Sequence, residues 1–204
     1  MDIRHQDANL KLMNDSFHAD AGRDDDRVTR EGWVFGYGSL IYKVDFPWHR
    51  REVASIAGWK RRFWQGSHDH RGTPTAPGRV LTLIPSPGAV CRGMAYQVDE
   101  ETFAHLDYRE KNGYQRHQVE MQLLESATTV PTTLYVARPD NPAYLGPAPA
   151  EELAAHIARA RGPSGSNREY LLCLAEGLRE IGEDDPHVAD LEAHVLGSEQ
   201  PGPK

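Results

Sequence analysis

Trp33-Val34-Phe35-Gly36-Tyr37-Gly38-Ser39-Leu40 is a short apolar run that two glycines bring to an end. The run reads as a buried strand, and Gly36 and Gly38 read as the tight turn that stops it. Glycines on both sides of a tyrosine permit backbone angles that other residues resist, positive φ among them. They also leave consecutive N–H groups uncovered by side chains. Such a nest can receive a carboxylate or a developing oxyanion, although an ordinary glycine-rich turn has the same letters. The spacing matches neither the GxxxxGK[ST] phosphate loop nor the dinucleotide fingerprint.

Outward from this turn the pattern alternates between strand and helix. Strands are predicted at 53–57, 59–65, 79–84 and 89–98. His117-Gln118-Val119-Glu120-Met121-Gln122-Leu123 alternates cleanly between apolar and polar, so one face is buried and the other wet. A further strand fits 130–137. Asp99 is placed to cap a helix over 100–107 that buries Phe103 and Leu106. A second helix over 150–161 puts Leu153, Ile157 and Ala160 on one face. Asn167 is read as the cap of a third, over 168–181, which Gly182 ends. Pro186 suits the first turn of a last helix carrying Val188, Leu191 and Val195. Five or more strands with helices among and after them indicate an α+β fold, its core a strongly bent sheet or small barrel. Residues 1–32, polar and Asp-rich, read as a flexible arm; 33–197 as the folded domain; and 198–204 as a frayed tail.

The 204 residues are 39 % hydrophobic and 26 % charged, with a net charge of −7. That composition fits a globular protein and argues against a general nucleic-acid or membrane-surface binder. Seven cations (Arg50, Arg51, Lys60, Arg61, Arg62, Arg71 and Arg79) crowd residues 50–80. They could attract a small anion or simply form a solvated strand face. The opening residues lack the roughly 7–15-residue apolar core of a secretory signal. No apolar run approaches the roughly 18 residues of a membrane span. Cys91 and Cys173, one in a predicted strand and one in a predicted helix, read as packed thiols rather than a disulfide or nucleophile. A reducing cytoplasm is the expected compartment.

Three further stretches carry chemistry-bearing residues. In Asp107-Tyr108-Arg109-Glu110-Lys111-Asn112-Gly113-Tyr114 a carboxylate stands between two cations, which lower its pKa, while burial would raise it. A carboxylate so balanced can serve as a general base; a solvated helix end would carry similar letters. Ser67-His68-Asp69-His70-Arg71-Gly72 suggests metal ligands. On a strand, however, His68 and His70 face one way and Asp69 the other, so no metal is expected. Tyr144–Pro149 and Gly162–Tyr170 are stiff loops that open helices.

These motifs together resemble the ChaC-like γ-glutamylcyclotransferases. The resemblance is carried, in order, by Trp33–Ile41, Arg61–Ser67, Asp69–Gly72, Pro77–Val80, Arg109–Tyr114, Asp140–Pro149 and Gly162–Gly165, and spans about Trp33 to Val195. It departs in the 32-residue N-terminal arm and at Tyr42, where the family pattern has Trp. The resemblance implies a mixed, barrel-like core with peripheral helices. It implies cleavage of glutathione, the small-molecule substrate, to 5-oxoproline and cysteinylglycine, with no cofactor, metal, nucleic acid or membrane partner. It implies Glu110 as the acid–base residue, with Val34, Phe35, Gly36, Tyr37, Gly38, Ser39 and Leu40 as the substrate loop and Glu101 and Tyr170 as further pocket residues. The rival readings are a cyclotransferase for other γ-glutamyl peptides or amines, and a non-catalytic binder of glutathione or another anion.

Overall fold

The computed structural model describes residues 31–110 and 113–197. Apart from Glu31 and Gly32, the arm expected over 1–32 lies outside the described residues, as does the tail over 198–204. Five strands, β1 (Gly32–Gly36), β2 (Arg50–Ser67), β3 (Gly78–Val98), β4 (Tyr114–Leu123) and β5 (Thr128–Ala137), close into a barrel in the order β1-β3-β2-β4-β5. All neighbours run antiparallel except β1 and β5. Val34 lies opposite Tyr96 on one side and makes a parallel bridge to Thr133 on the other. That bridge closes the ring.

The expected strands 53–57 and 59–65 are one strand, β2, and 79–84 and 89–98 are one strand, β3. The letters that divided them mark irregularities inside continuous strands. Gly58, at φ +82°, sits where the β2–β3 register shifts between Ala57 and Trp59, and Gly88, at φ +80°, lies within β3. An inserted residue reverses which face every later residue occupies. Ala54 and Ile56 are buried before the shift; Arg61, Phe63 and Gln65 are buried after it. The solvated-face reading of the basic run therefore fails at Arg61, which is 0 % exposed. Its Nε donates to the Tyr37 carbonyl at 2.7 Å. Its guanidinium also donates to the Arg92 carbonyl and lies 3.3 Å from Glu183 and 3.4 Å from Asp185. A buried cation needs such complete pairing. Arg79 is buried too, donating to the carbonyls of Phe63 (3.1 Å) and Gly146 (2.9 Å).

Four helices, α1 (Glu100–Arg109), α2 (Ala150–Arg159), α3 (Asn167–Glu180) and α4 (Pro186–Gly197), surround the barrel, with a short hairpin of β6 (Arg161–Gly162) and β7 (Gly165–Ser166) before α3. Asp99 caps α1 as expected, its Oδ1 accepting the Thr102 N–H at 2.8 Å. Asn167 does not cap α3. Ser166 does, its Oγ accepting the Glu169 N–H at 3.1 Å. Asn167 is instead fully buried, its amide bonded to both the N–H and the carbonyl of Arg79. Leu153, Ile157, Leu171, Leu174, Leu178, Val188 and Leu191 join α2, α3 and α4 to the barrel in one apolar core. No described helix is long and apolar enough to cross a membrane.

His187, at the start of α4, accepts the Phe63 N–H on Nε2 at 3.1 Å. Burial, with Arg62 adding repulsion, pulls its pKa from 6.5 down to about 4 against the opposing pull of Asp185 and Asp190. The unfolded chain takes up a proton below about pH 6.5 that the folded one refuses until about pH 4. Stability is therefore lost as pH falls through that window. His187→Gln keeps an acceptor for Phe63 and removes the titration. Thermal melts at pH 7 and pH 4.5 are expected to show a smaller acid-induced drop in Tm for the variant than for the parent; equal drops would show that His187 contributes nothing.

Candidate active site

Glu110 ends α1. Its N–H donates to the Leu106 carbonyl at 2.8 Å, so helical spacing sets Glu110 one turn beyond Leu106. Both line a cavity of about 80 Å³. Its other walls are Phe35, the turn Gly36–Leu40, and Leu81, Tyr114, Tyr135 and Tyr170. A wider cleft of about 580 Å³ adjoins it, and Ser39, Glu110, Tyr114 and Tyr170 line both. The cleft alone falls within the roughly 300–1,000 Å³ of small-molecule sites.

The structure thus gathers Glu110, Tyr170 and every expected loop residue from Phe35 to Leu40 around one cavity. Val34 and Glu101 stand apart. Val34 lies within β1, fully buried in the barrel, and lines neither cavity. Glu101 is exposed in the first turn of α1 and lines neither cavity. Nine residues separate it from Glu110, about 14 Å of rise and half a turn of rotation, so the two carboxylates cannot share a face. The neighbours missing from the expected set are Leu81, Leu106, Tyr114 and Tyr135. Tyr114 was already marked by the Arg109–Tyr114 motif; the other three read as ordinary core.

The turn needs its glycines for space rather than for positive φ. Gly38 has φ −126° and ψ −125°, and Gly36 is not among the positive-φ glycines. A Cβ on Gly36 would stand 2.6 Å from Leu40 Cβ, and one on Gly38 would stand 3.1 Å from Tyr170 Oη. After Gly38 the chain makes one 3-10 turn, Ser39–Ile41, whose first bond runs from the Ile41 N–H to the Gly38 carbonyl at 3.0 Å. The Ser39 and Leu40 N–H groups precede that bond and have no acceptor within the turn.

The carboxylate of Glu110 is 22 % exposed. Burial raises its pKa above the ordinary 4.5; the Arg109 guanidinium, 3.4 Å away, pulls it down, and the charges of Asp45 and Asp69 push it up. Arg109 is held from its other side by Asp45. Burial also raises the phenol pKa values of Tyr37 and Tyr114 well above 10, with Glu110 adding to both, and raises that of Tyr170. All three remain protonated donors at neutral pH. Tyr37 donates to the Tyr135 carbonyl at 2.6 Å and Tyr114 to the Leu81 carbonyl at 2.7 Å, so both brace the wall.

Motifs distant in sequence hold this arrangement. Gly113, at φ +98°, lies against the Asn141 side chain, which pairs with the Gln65 amide at 3.1 and 3.2 Å. The β6–β7 hairpin docks on the loop after β2: the Ser164 N–H donates to the His70 carbonyl at 2.9 Å, and Ser164 Oγ lies 3.0 Å from His70 Nδ1. That loop is not strand. β2 ends at Ser67, so alternation does not turn Asp69 away from His70, and its carboxylate lies 3.9 Å from His70 Nε2. Among the described residues no three His, Cys, Asp or Glu side chains gather as ligands for one metal ion. Cys91 is buried, its thiol pushed up to about 12 by burial. Cys173, expected to be packed, is exposed on α3.

The profile of the family described as ChaC-like protein matches residues 32–198. A zebrafish (Danio rerio) protein named glutathione-specific gamma-glutamylcyclotransferase 1 is 44 % identical over 180 residues, covering 83 % of this chain and 91 % of its own. A Saccharomyces cerevisiae protein named glutathione-specific gamma-glutamylcyclotransferase is 36 % identical over 199 residues, covering 73 % and 86 %. The crystal structure of a yeast gamma-glutamyl cyclotransferase specific to glutathione superposes with a TM-score of 0.76 at 34 % identity, covering 82 % of this chain and 96 % of that one.

Proposed function

Because the chain belongs to the ChaC-like protein family, we propose that it is a glutathione-specific γ-glutamylcyclotransferase, with Glu110 as its acid–base residue. One observation carries the assignment of Glu110: the carboxylate shares a small, largely desolvated cavity with the Gly36–Leu40 turn. The cavity is walled by apolar and phenolic groups and offers no other titratable side chain that is a base at neutral pH.

The reaction needs no protein nucleophile. The substrate's α-amine attacks its own γ-amide carbon; a C–N bond forms as the amide C–N bond breaks. The products are 5-oxoproline and cysteinylglycine. Confinement in the inner cavity holds the glutamyl chain curled, with the reacting atoms at about 3–3.5 Å, and so replaces a costly encounter with a positioned one. Two protons leave the attacking nitrogen, one from the ammonium before attack and one as the lactam forms. Glu110 relays each in turn to the cysteinyl nitrogen, which departs as an ammonium group. The Ser39 and Leu40 N–H groups face the oxyanion of the tetrahedral intermediate or the substrate α-carboxylate. Arg61, through the Tyr37 carbonyl, keeps the turn in place. A reducing cytoplasm suits a chain whose two cysteines are both free.

Glutathione incubated with the protein in ¹⁸O-labelled water is expected to give unlabelled 5-oxoproline and cysteinylglycine by mass spectrometry, because no water enters the product. Labelled free glutamate, or no product, would overturn the proposal.

The base must be ionised, so activity is lost as pH falls through the raised pKa of Glu110. Arg109→Leu removes the cation that opposes that rise and leaves the Asp45 carboxylate unpaired nearby. The acid limb of the kcat/KM profile is expected to move to higher pH in Arg109→Leu and to lower pH in Asp45→Asn. An unmoved limb in both would place the titrating base elsewhere.

A further inference from the structure

Given the glutathione reading, the inner cavity has room for the cyclising glutamyl end alone, which leaves the cysteinylglycine arm in the wider cleft. That arm ends in a carboxylate. Three strong cations line the cleft: Lys43, Arg71 and Arg109. Two are engaged by the protein itself. Arg71 is bonded to Glu169 at 3.0 Å and to the Ser166 carbonyl at 3.1 Å, and lies over the Tyr170 ring. Arg109 is held between Asp45 and Glu110. The Lys43 ammonium has no hydrogen-bond or ion-pair partner among the described residues, and the side chain is exposed. Its backbone is fixed all the same, because the Lys43 N–H donates to the Ser39 carbonyl at 2.8 Å. Ser39 lines both cavities. The turn that confines the glutamyl end therefore also plants a lysine beside the arm that leaves.

We propose that Lys43 is the specificity residue for the C-terminal carboxylate of the substrate, pairing with it across the wider cleft. A compact ammonium on a flexible four-carbon stem suits a carboxylate at the end of a mobile dipeptide. The contact is made equally in the ground and transition states, so it acts on KM and not on kcat.

The test compares glutathione with its glycine ethyl ester, in which that carboxylate is masked, on the parent protein, Lys43→Met and Lys43→Arg. For glutathione, Lys43→Met is expected to raise KM about tenfold with kcat within about twofold, and Lys43→Arg to restore most of the loss. For the ester, all three proteins are expected to give the same KM. Equal KM values for glutathione in the parent and Lys43→Met, or an equal loss on glutathione and ester, would overturn the role of Lys43 while leaving the cyclotransferase standing. Absence of 5-oxoproline from both substrates with the parent protein would overturn the cyclotransferase reading itself, and this assignment with it.

Discussion

Glu110→Gln is expected to yield a folded protein whose kcat for glutathione is reduced by about 10²–10⁴-fold, the usual worth of a positioned acid–base group. The amide keeps the size of the carboxyl, so the walls contributed by Leu106 and Tyr114 have no reason to move. What is lost is a lone pair basic enough to take the ammonium proton. The fold has no dependence on the charge itself: ionising a carboxylate that burial disfavours destabilises the native state, so the neutral amide is expected to leave Tm unchanged or slightly higher. Binding survives, since the nest, the tyrosines and the outer cleft are untouched. Calorimetry with glutathione should find an affinity within a few-fold of the parent. A folded Glu110→Gln protein retaining most of its turnover would remove Glu110 from the mechanism.

Gly38→Val is expected to lower kcat/KM by about 10²-fold or more, the order of loss that a misplacement of about 1 Å produces in a positioned reaction. The reason lies in space rather than torsion. Gly38 has a negative φ that other residues reach, but its missing side chain faces Tyr170 Oη at 3.1 Å and the Leu81 side chain at 3.8 and 3.9 Å. Three added carbons would enter an 80 Å³ cavity meant for the substrate. Gly38→Ala adds one carbon at a contact that a few tenths of an ångström of movement relieve, so its loss should be smaller and graded. Steady-state kinetics on both, with circular dichroism to confirm the barrel, checks the ordering. Equal and full activity in both would reduce the turn to a connector.

The fold class was legible because the strands are long, regular and separated by clear breakers. The error came from those same breakers. Gly58 and Gly88 look like strand ends, yet in a barrel a strand must coil, and a glycine or a bulge inside it is how it does so. Arg61 was misjudged because a run of cations was read from its charge alone, whereas past the shift at Gly58 it shares the buried side of β2 with Phe63 and Gln65. Asn167 was misjudged because a capping letter says nothing about a partner 88 positions away, and here the Arg79 backbone outcompetes the helix end. At the site, the turn and Glu110 stood out as local motifs. Leu81, Leu106 and Tyr135 did not, since cavity-lining residues on regular elements have the same patterning as core. Glu101 was carried over by likeness of position, and the helix it belongs to rotates it away.

The closure of the barrel by its first strand has a consequence for synthesis of the chain. β1 finds no partner near it in sequence: Gly36 pairs with Met94, and Val34 bridges to Thr133. The β2–β3 hairpin, by contrast, can zip outward from Ser67 opposite Gly78 as soon as those residues leave the ribosome. Closing a short loop is entropically cheaper than closing one spanning a hundred residues, and pairings distant in sequence form late. The order of assembly is thus set: the hairpin first, the ring last, once β5 has emerged. The turn that shapes the site hangs from β1, so a nascent chain has no catalytic cavity before β5 has been made, and its wall is complete only once Tyr170 has followed. Until β3 is made the apolar strand Trp33–Phe35 waits with both edges open, and one edge stays open until β5 arrives, which exposes it to wrong pairing before folding is complete.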